Sequence, residues 1–209
     1  MRHRHGDMLV KLRAHPRSAE FQAWFHAHRS EAETLTGDYY RAAGPRFTTA
    51  QEIVSGIGAS LGGGRWNPPG ATRVIYLSRE PETALREANE HFRYHGLPVS
   101  KGLPKVVVAV GLVLGSVLDL TDAAAFETLP GGIEALLAED WRAVMARGHE
   151  ATTQAFGRAA FASGLHGILV PSKPDPNGVN LLVFPARLTK KWRAVVRNAA
   201  DLDNLGRPE

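Results

Sequence analysis

The segment 105–110, KVVVAV, in which an uninterrupted apolar run follows Lys105, is the feature that most constrains the fold of this chain. Its β-branched residues favour a strand, and apolar residues without alternation are typical of a central strand that is covered on both faces. The same kind of pattern predicts further strands at 38–42, 72–77, 117–120, 167–170 and 179–184. With helices predicted between them, the chain is expected to be an α/β (α+β) protein.

Three segments carry helical patterns. Phe21, Trp24, Phe25 and His28 recur at helical spacing within residues 1–36, which we interpret as an extension with one helix. Residues 121–164 are predicted to be mostly helical, with Thr121 as an N-cap and glycines as breaks.

The remaining predicted helix begins at Pro81, a residue that suits the first turn. Its apolar stripe consists of Ala84, Leu85, Ala88 and Phe92. Of its three glutamates, Glu82 and Glu90 point away from the stripe, so Glu87 alone is expected to be partly buried. A buried carboxylate needs a partner or a chemical role, and pairing with an arginine is the structural alternative.

Composition excludes several functions. The chain has 209 residues, 44% of them hydrophobic, which fits one domain plus an extension. It contains no cysteine, so disulfides, thiolate nucleophiles and cysteine-ligated metals are impossible. Its 25 basic and 21 acidic residues are scattered, which disfavours nucleic acid as a partner. Without a secretory signal or a transmembrane run, a cytoplasmic protein is expected.

No metal site is predicted. The histidines at 3, 5, 15, 26 and 28 match no structured metal-binding spacing. The glycines at 56, 58 and 62 do not form a dinucleotide fingerprint either, because Leu61 occupies the third glycine position and no helix is predicted to open there. We expect these glycines to let the following loop approach a ligand closely.

Arg65, Tyr76 and Glu87 follow one another at even intervals, each in a different kind of local structure. Arg65 lies in the glycine- and proline-rich segment 62–70, which predicts a loop from which a guanidinium can project into a cleft. Tyr76 lies in a predicted strand, and Glu87 in the helix that follows. This combination suggests chemistry on a phosphorylated nucleotide.

Ser172 and Asn180 are placed at strand ends. Ser172 follows the strand at 167–170, and Asn180 begins the next strand among apolar neighbours. Polar side chains at such positions often face a cleft. A turn cap for Ser172 and a backbone hydrogen bond for Asn180 are the structural alternatives.

Several separated motifs together resemble the RES-domain family, in matching order and spacing. The motifs are residues 40–41, 63–70, 74–77, 84–87, 170–172 and 180–181. The arginine, glutamate and serine that name the family correspond to Arg65, Glu87 and Ser172. The resemblance implies an ADP-ribosyltransferase-like mixed β-sheet core with flanking helices. It divides the chain into a helical extension (1–37), a RES domain (38–188) and a C-terminal tail (189–209).

The resemblance also implies a function. RES proteins are typically toxins of toxin-antitoxin systems, neutralised by a Xre-type antitoxin, and they attack NAD. Members degrade NAD as hydrolases or phosphorylases, and one branch transfers ADP-ribose to a protein. NAD would then be the substrate, with inorganic phosphate as a possible co-substrate and no cofactor. A homodimer or a toxin-antitoxin hetero-oligomer is the expected assembly, without nucleic acid or membrane.

The site residues suit this chemistry. Cleaving the nicotinamide-ribose bond builds positive charge on the ribose, which the carboxylate of Glu87 would stabilise. Arg65 would bind the pyrophosphate, with Arg41 as a second cation for that group or for inorganic phosphate. Tyr76 would stack on a ring or bind the ribose. Substrate-binding roles are further assigned to Ser172, Asn180 and Asn67, the first two orienting phosphate or the nicotinamide amide.

The acceptor is predicted from a missing residue. Related transferases often carry a second glutamate two residues before the first, where this chain has Leu85. Phosphate or water is therefore favoured over a protein acceptor. A non-catalytic nucleotide-binding module is the alternative from another class, and the joint presence of Arg65, Tyr76 and Glu87 argues against it.

Overall fold

A computed structural model of the chain describes residues 12–44, 49–121 and 128–205. The strands are β1 (Glu33–Ala43), β2 (Ile75–Ser78), β3 (Val106–Asp119), β4 (Gly167–Pro171), β5 (Val179–Val183) and β6 (Arg193–Val196). The helices are α1 (Ser18–His28), α2 (Ala50–Ile53), α3 (Ile57–Gly62), α4 (Pro81–Tyr94), α5 (Ile133–Ala138), α6 (Trp141–Ala146), α7 (Thr152–Ala162) and α8 (Ala199–Leu205). Short 3-10 helices lie at Arg29–Glu31, Val99–Gly102 and Pro185–Arg187.

The strands form one mixed sheet in the order β1-β2-β5-β4-β3-β6, and β1 also pairs with β3. The pairings therefore close a circuit of five strands, with β6 added to β3. β3 runs parallel to β4, and the other pairs are antiparallel. The predicted fold, a mixed sheet core with flanking helices, is confirmed.

β3 is one strand of 14 residues, so the prediction of two separate strands at 105–110 and 117–120 was wrong. The strand continues through Gly111 because this residue pairs with Asp38 of β1 and Val195 of β6. The side chains of Arg197 and Trp192 lie over Gly111 and Gly115. β1 is likewise longer than the predicted 38–42, because it pairs with β3 from Glu33 to Ala43.

Helix α4 begins at Pro81 as predicted, but its buried face differs from the predicted stripe. Ala84 is buried together with Thr83 and Asn89, whereas Leu85 and Phe92 are only half-buried. Thr83 faces inward because its hydroxyl donates to the carboxylate of Asp175, 2.7 Å away.

Two further expectations about helices changed. Residues 57–62 form α3, where no helix was predicted, beginning after Gly56 at φ 66°. Between 128 and 164 the chain forms α5, α6 and α7. The predicted glycine breaks at 131–132, 148 and 164 lie before α5, between α6 and α7, and after α7, whereas α5 and α6 are separated at Glu139 and Asp140 without a glycine. The helix predicted to start at Thr121 falls on residues 122–127, outside the described part of the chain.

The core has two layers, one on each face of the sheet. Leu182 of β5 belongs to the first layer, and its neighbours Leu181 and Val183 belong to the second. Phe156 of α7 lies in the first layer with Phe21, Trp24 and Phe25 of α1, and Phe21 and Phe25 are completely buried. The predicted N-terminal helix and the packing role of its aromatics are thus confirmed.

The C-terminal segment also contributes to this architecture. Residues 189–209 were predicted to be a tail, and in their described part they form β6 and α8. β6 pairs with β3 through Val110–Val113, and Val196 and Leu202 are buried in the second core layer.

Candidate active site

One cavity of about 780 Å³ lies between the loop that carries Arg65, the strands β1, β2 and β5, and the helices α4 and α6. Cavities of this size hold small-molecule ligands in many enzymes. Five of the seven predicted site residues line it: Arg41, Arg65, Tyr76, Glu87 and Asn180. The other two, Ser172 and Asn67, are buried behind its wall.

Glu87 projects from the second turn of α4 and is held by two neutral donors. The hydroxyl of Ser172 donates to its Oε1 at 2.7 Å, and the side-chain amide of Asn180 donates to the same oxygen at 2.5 Å. Within the described residues Glu87 makes no ion pair at 4 Å or less, so the alternative of a simple pair with an arginine does not hold. Burial raises the pKa of the Glu87 carboxyl, and the two hydrogen bonds oppose that rise.

The glutamates of α4 correct one expectation. Glu90 is half-buried and lines the cavity, so the prediction that Glu87 alone would be partly buried was wrong. Glu90 lies three residues after Glu87 on the same helix, which places both on one side of it. Its negative charge also contributes to the raised pKa of Glu87.

Ser78 completes the support of Glu87, and sequence reasoning missed it. Its hydroxyl donates to Oδ1 of Asn180 at 2.8 Å, which turns the amide nitrogen of Asn180 toward Glu87. Ser78 pairs in register with Asn180 across β2 and β5. The only sequence signal was a serine directly after the predicted strand at 72–77, and its partner is 102 residues away.

Arg65 is anchored by the backbone of the α5 end. One of its terminal nitrogens, Nη1, donates to the carbonyls of Leu137 and Glu139, each at 3.2 Å. Burial lowers the pKa of the guanidinium, and the negative charge of Glu87 opposes that change. An arginine in such a place stays charged. Arg65 and Glu87 therefore present opposite charges to one cavity.

The Arg65 loop is held from behind by Tyr76. The Tyr76 hydroxyl donates to Oδ1 of Asn67 at 2.7 Å and accepts from the backbone N–H of Trp66 at 3.0 Å. It lies so close to Gly64 that a Cβ there would clash with it. Burial raises the pKa of Tyr76, so the hydroxyl is neutral. Two predicted site residues thus form the support of the loop.

Four residues with predicted substrate roles have polar groups that are hydrogen-bonded to the protein itself. The Tyr76 hydroxyl is engaged by the loop, while its ring lines the cavity, so ring stacking stays a prediction. Ser172 and Asn180 are directed at Glu87, and Asn67 donates to the Ala59 carbonyl at 2.7 Å. Contact of these three with a substrate also stays a prediction.

Arg41, on β1, presents an unsatisfied donor. Its Nη1 is buried, and none of the residues that the structure describes accepts a hydrogen bond from it. Burial lowers the pKa of this guanidinium. A buried donor without an acceptor is costly, so an anion in the cavity would be stabilised there.

Two broader expectations concern the molecule as a whole. Among the residues described, no three histidines, aspartates or glutamates lie close enough to hold a metal ion. No helix in the described ranges has the length and apolar character needed to cross a membrane.

This chain is similar to known proteins in sequence and in fold. A family model described as the RES domain matches residues 38–203. Relatives named NAD(+) phosphorylase MbcT, from Mycobacterium bovis and Mycobacterium tuberculosis, are 29% identical over 161 residues, which is 75% of this chain and 80% of the relative. A relative from Sphingobium sp. (strain YBL2) named Prs ADP-ribosylating toxin is 30% identical over 175 residues, 76% of this chain and 94% of the relative.

The crystal structure of the Mycobacterium tuberculosis MbcT-MbcA toxin-antitoxin complex contains a chain with the same architecture. It matches this protein with a TM-score of 0.61 at 25% identity, over 89% of this chain and 96% of that one.

Proposed function

This chain belongs to the RES-domain family, and we propose that it is a toxin that consumes NAD by breaking the bond between nicotinamide and ribose. One observation carries the proposal. A desolvated carboxylate, Glu87, is held by neutral donors in the same cavity as the guanidinium groups of Arg65 and Arg41. Dinucleotide cleavage needs this combination of one negative charge for the ribose and positive charges for the phosphates.

The two oxygens of Glu87 have separate roles in this proposal. Oε1 receives both protein donors, and in the described residues Oε2 receives none. Oε2 is therefore the oxygen that can hold a ribose hydroxyl or face the developing positive charge. Nicotinamide leaves with the electron pair of the broken bond as a neutral molecule, so the step needs no general acid.

We assign the acceptor to inorganic phosphate. A phosphate oxygen then forms the new bond to the ribose carbon, and the products are nicotinamide and ADP-ribose 1-phosphate. Arg41 supports this choice, because its buried Nη1 has no acceptor among the described residues and can bind an anion besides the pyrophosphate at Arg65. The relatives named NAD(+) phosphorylase agree with the same acceptor. NAD is a substrate in this proposal, and no resident cofactor is invoked.

Protein ADP-ribosylation is the second candidate, because one relative is named for it. The structure offers less support for it. Leu85, at the place of a second glutamate, does not line the cavity. The two candidate functions therefore share one cleavage step, and they differ only in whether phosphate or a protein accepts the ADP-ribose.

Phosphorus NMR of NAD with the purified protein tests the proposal. We expect NAD signals to disappear with phosphate present, a sugar 1-phosphate signal to appear, and slower loss when phosphate is omitted. If NAD is converted to ADP-ribose equally fast in both samples, the reaction is hydrolysis and not phosphorolysis. No loss with either sample, despite NAD binding, would leave a non-catalytic binding module.

The partner is proposed on the same footing. The solved relative is part of a toxin-antitoxin complex, so we infer that an antitoxin, of the Xre type, neutralises this protein. Expression of the chain alone should stop bacterial growth. Coexpression with an Xre-type antitoxin that binds it should restore growth, and growth unaffected by the chain alone would contradict the toxin role.

A further inference from the structure

One wall of the cavity has no role in the chemistry proposed above. It consists of His91, Tyr94 and His95 at the end of α4 and of Trp141 and Arg142 at the start of α6, here called the aromatic wall. Tyr94 is 42% exposed, although large aromatic side chains on a protein surface are usually more covered. Residues exposed inside a cavity are available to a ligand.

The aromatic wall is organised before any ligand binds. The guanidinium carbon of Arg142 lies 4.7 Å from the centre of the Tyr94 ring and 4.4 Å from that of Trp141. The Tyr94 hydroxyl donates to the carboxylate of Asp140 at 3.0 Å, which fixes the ring. The wall thus combines flat rings with a planar cation, the groups on which nucleic-acid bases stack.

Arg65 connects the aromatic wall to Glu87. Its guanidinium donates to the carbonyl of Glu139, which lies two residues before Trp141. The charges of Glu87 and Arg142 both act on Arg65. Tyr94 follows Glu87 by two turns of α4, which is about 10 Å along the helix axis. Carboxylate, guanidinium and rings therefore succeed one another along the cavity.

The geometry points to the aromatic wall as the subsite for the adenine half of the dinucleotide. This inference rests on the proposed function, in which Glu87 faces the nicotinamide ribose and Arg65 binds the pyrophosphate. The base at the far end of the molecule then lies against Tyr94 and Arg142. Stacking makes the wall a determinant of substrate affinity, and Tyr94 and Arg142 take no part in bond cleavage.

Calorimetric titration with the two halves of NAD separates the ends of the cavity. Adenosine monophosphate carries the adenine half, and nicotinamide mononucleotide carries the other. We expect Tyr94→Ala and Arg142→Ala each to weaken binding of adenosine monophosphate about 10-fold. Binding of nicotinamide mononucleotide should stay within about twofold in both variants.

Two further variants control this experiment. Arg147→Ala removes an exposed arginine just after α6 that does not line the cavity, and it should change neither affinity. Tyr94→Phe keeps the ring and loses only the hydrogen bond to Asp140, so it should retain most of the affinity for adenosine monophosphate. Thermal melting of each variant checks that the fold is intact.

The outcomes distinguish the subsite from the proposed function. Unchanged binding of adenosine monophosphate, or an equal loss for both halves, would overturn the subsite even when the wild type cleaves NAD. Selective loss together with no NAD cleavage by the wild type would keep the subsite and remove the enzyme. Selective loss with cleavage supports both, and the Michaelis constant for NAD should then rise about 10-fold at constant kcat.

Discussion

Two carboxylates shielded from solvent, the buried Glu150 and the half-buried Glu87, have opposite surroundings. Glu150 is 5% exposed and receives a bidentate contact from Arg158, with both N–O distances 2.8 Å, and a backbone N–H from His15 at 3.0 Å. Burial raises its pKa, but the Arg158 and His15 contacts outweigh burial and lower it. Glu87 receives two neutral donors on one oxygen, and its pKa is raised.

The difference indicates a structural role for the Glu150 carboxylate and a functional role for the Glu87 carboxylate. The protein neutralises Glu150 within the fold, where it connects the segment before α1 to α7. The charge of Glu87 is matched incompletely and faces a cavity, so a positively charged reaction centre gains from it. Both residues are glutamates shielded from solvent, and the identity of their hydrogen-bond donors distinguishes their roles.

Glu87→Gln should have the largest effect. We expect kcat for nicotinamide release to fall at least 10²-fold, because the amide cannot offset positive charge. The amide oxygen still accepts from Ser172 and Asn180, so the fold should persist. Glu82→Gln, an exposed change on the same helix, is the matched control. Turnover near that of the wild type in a folded variant would remove Glu87 from the mechanism.

The stability of the same variant sharpens the comparison. Because the pKa of Glu87 is raised in the folded state, its stabilising contribution is present at low pH and is lost as pH rises through that pKa. Glu87→Gln should therefore be at least as stable as the wild type at pH 8. Urea denaturation at pH 4 and pH 8 measures this, and a loss at pH 8 would contradict it.

Glu150→Gln should show the reverse behaviour. We expect the free energy of unfolding to fall by about 2 kcal/mol at pH 7, less than for a fully buried pair because the Arg158 side chain is 33% exposed. The lowered pKa makes the deficit shrink as pH falls through it. Urea denaturation gives the free energy, and kcat per folded molecule should stay within about twofold.

The exposed pair of Arg17 and Glu20 is the control for that change. Glu20→Gln should leave the denaturation midpoint where it is, because solvent screens exposed ion pairs. Equal effects of the two substitutions would mean that Glu150 is no more important to the fold than a surface glutamate.

Arg65→Lys should raise the Michaelis constant for NAD about 10-fold, a smaller change than that expected for Glu87→Gln. A lysine cannot bind two backbone carbonyls and still present a planar fork to a pyrophosphate. Steady-state kinetics with Arg73→Lys, an exposed residue outside the cavity, as control measure the effect. An unchanged Michaelis constant would exclude a bidentate phosphate contact.

Ser172→Ala should have the smallest effect on turnover, and the effect should be visible in the pH dependence of kcat/KM. Removing the hydroxyl withdraws one donor that favours ionised Glu87, so the pKa of Glu87 rises further. The acid limb of kcat/KM should move to higher pH, with rates within about threefold of the wild type on the alkaline plateau. A uniform loss at every pH would instead indicate the substrate contact predicted from the sequence.

Local sequence patterns predicted the parts of this molecule that depend on neighbouring residues. The start of α4 at Pro81 and the strands around Ser172 and Asn180 follow from turn residues and apolar runs. The separated motifs also predicted that Arg65, Tyr76 and Glu87 share one site, and all three line one cavity. Periodicity was less informative for α3, because a six-residue helix with two glycines carries no clear stripe.

Contacts between distant segments were beyond sequence reasoning. Ser78 supports Asn180 only because β2 and β5 pair in a register that no local pattern specifies. Tyr76 was assigned to a ring or the ribose of the substrate and Asn67 to substrate binding, while their mutual hydrogen bond holds the loop. The aromatic wall joins α4 to α6, which are separated by the whole of β3 in the chain.

The burial of Phe21 and Phe25 has a practical consequence for anyone who trims this protein. Both rings fill the core shared with Phe156, yet they precede residue 38, where the match to the RES-domain family model begins. Removing even one such ring usually costs about 3–5 kcal/mol, a large share of the stability of a small domain. The family model and the cooperatively folding unit therefore have different boundaries, and a truncation at residue 38 would remove rings that fill the core.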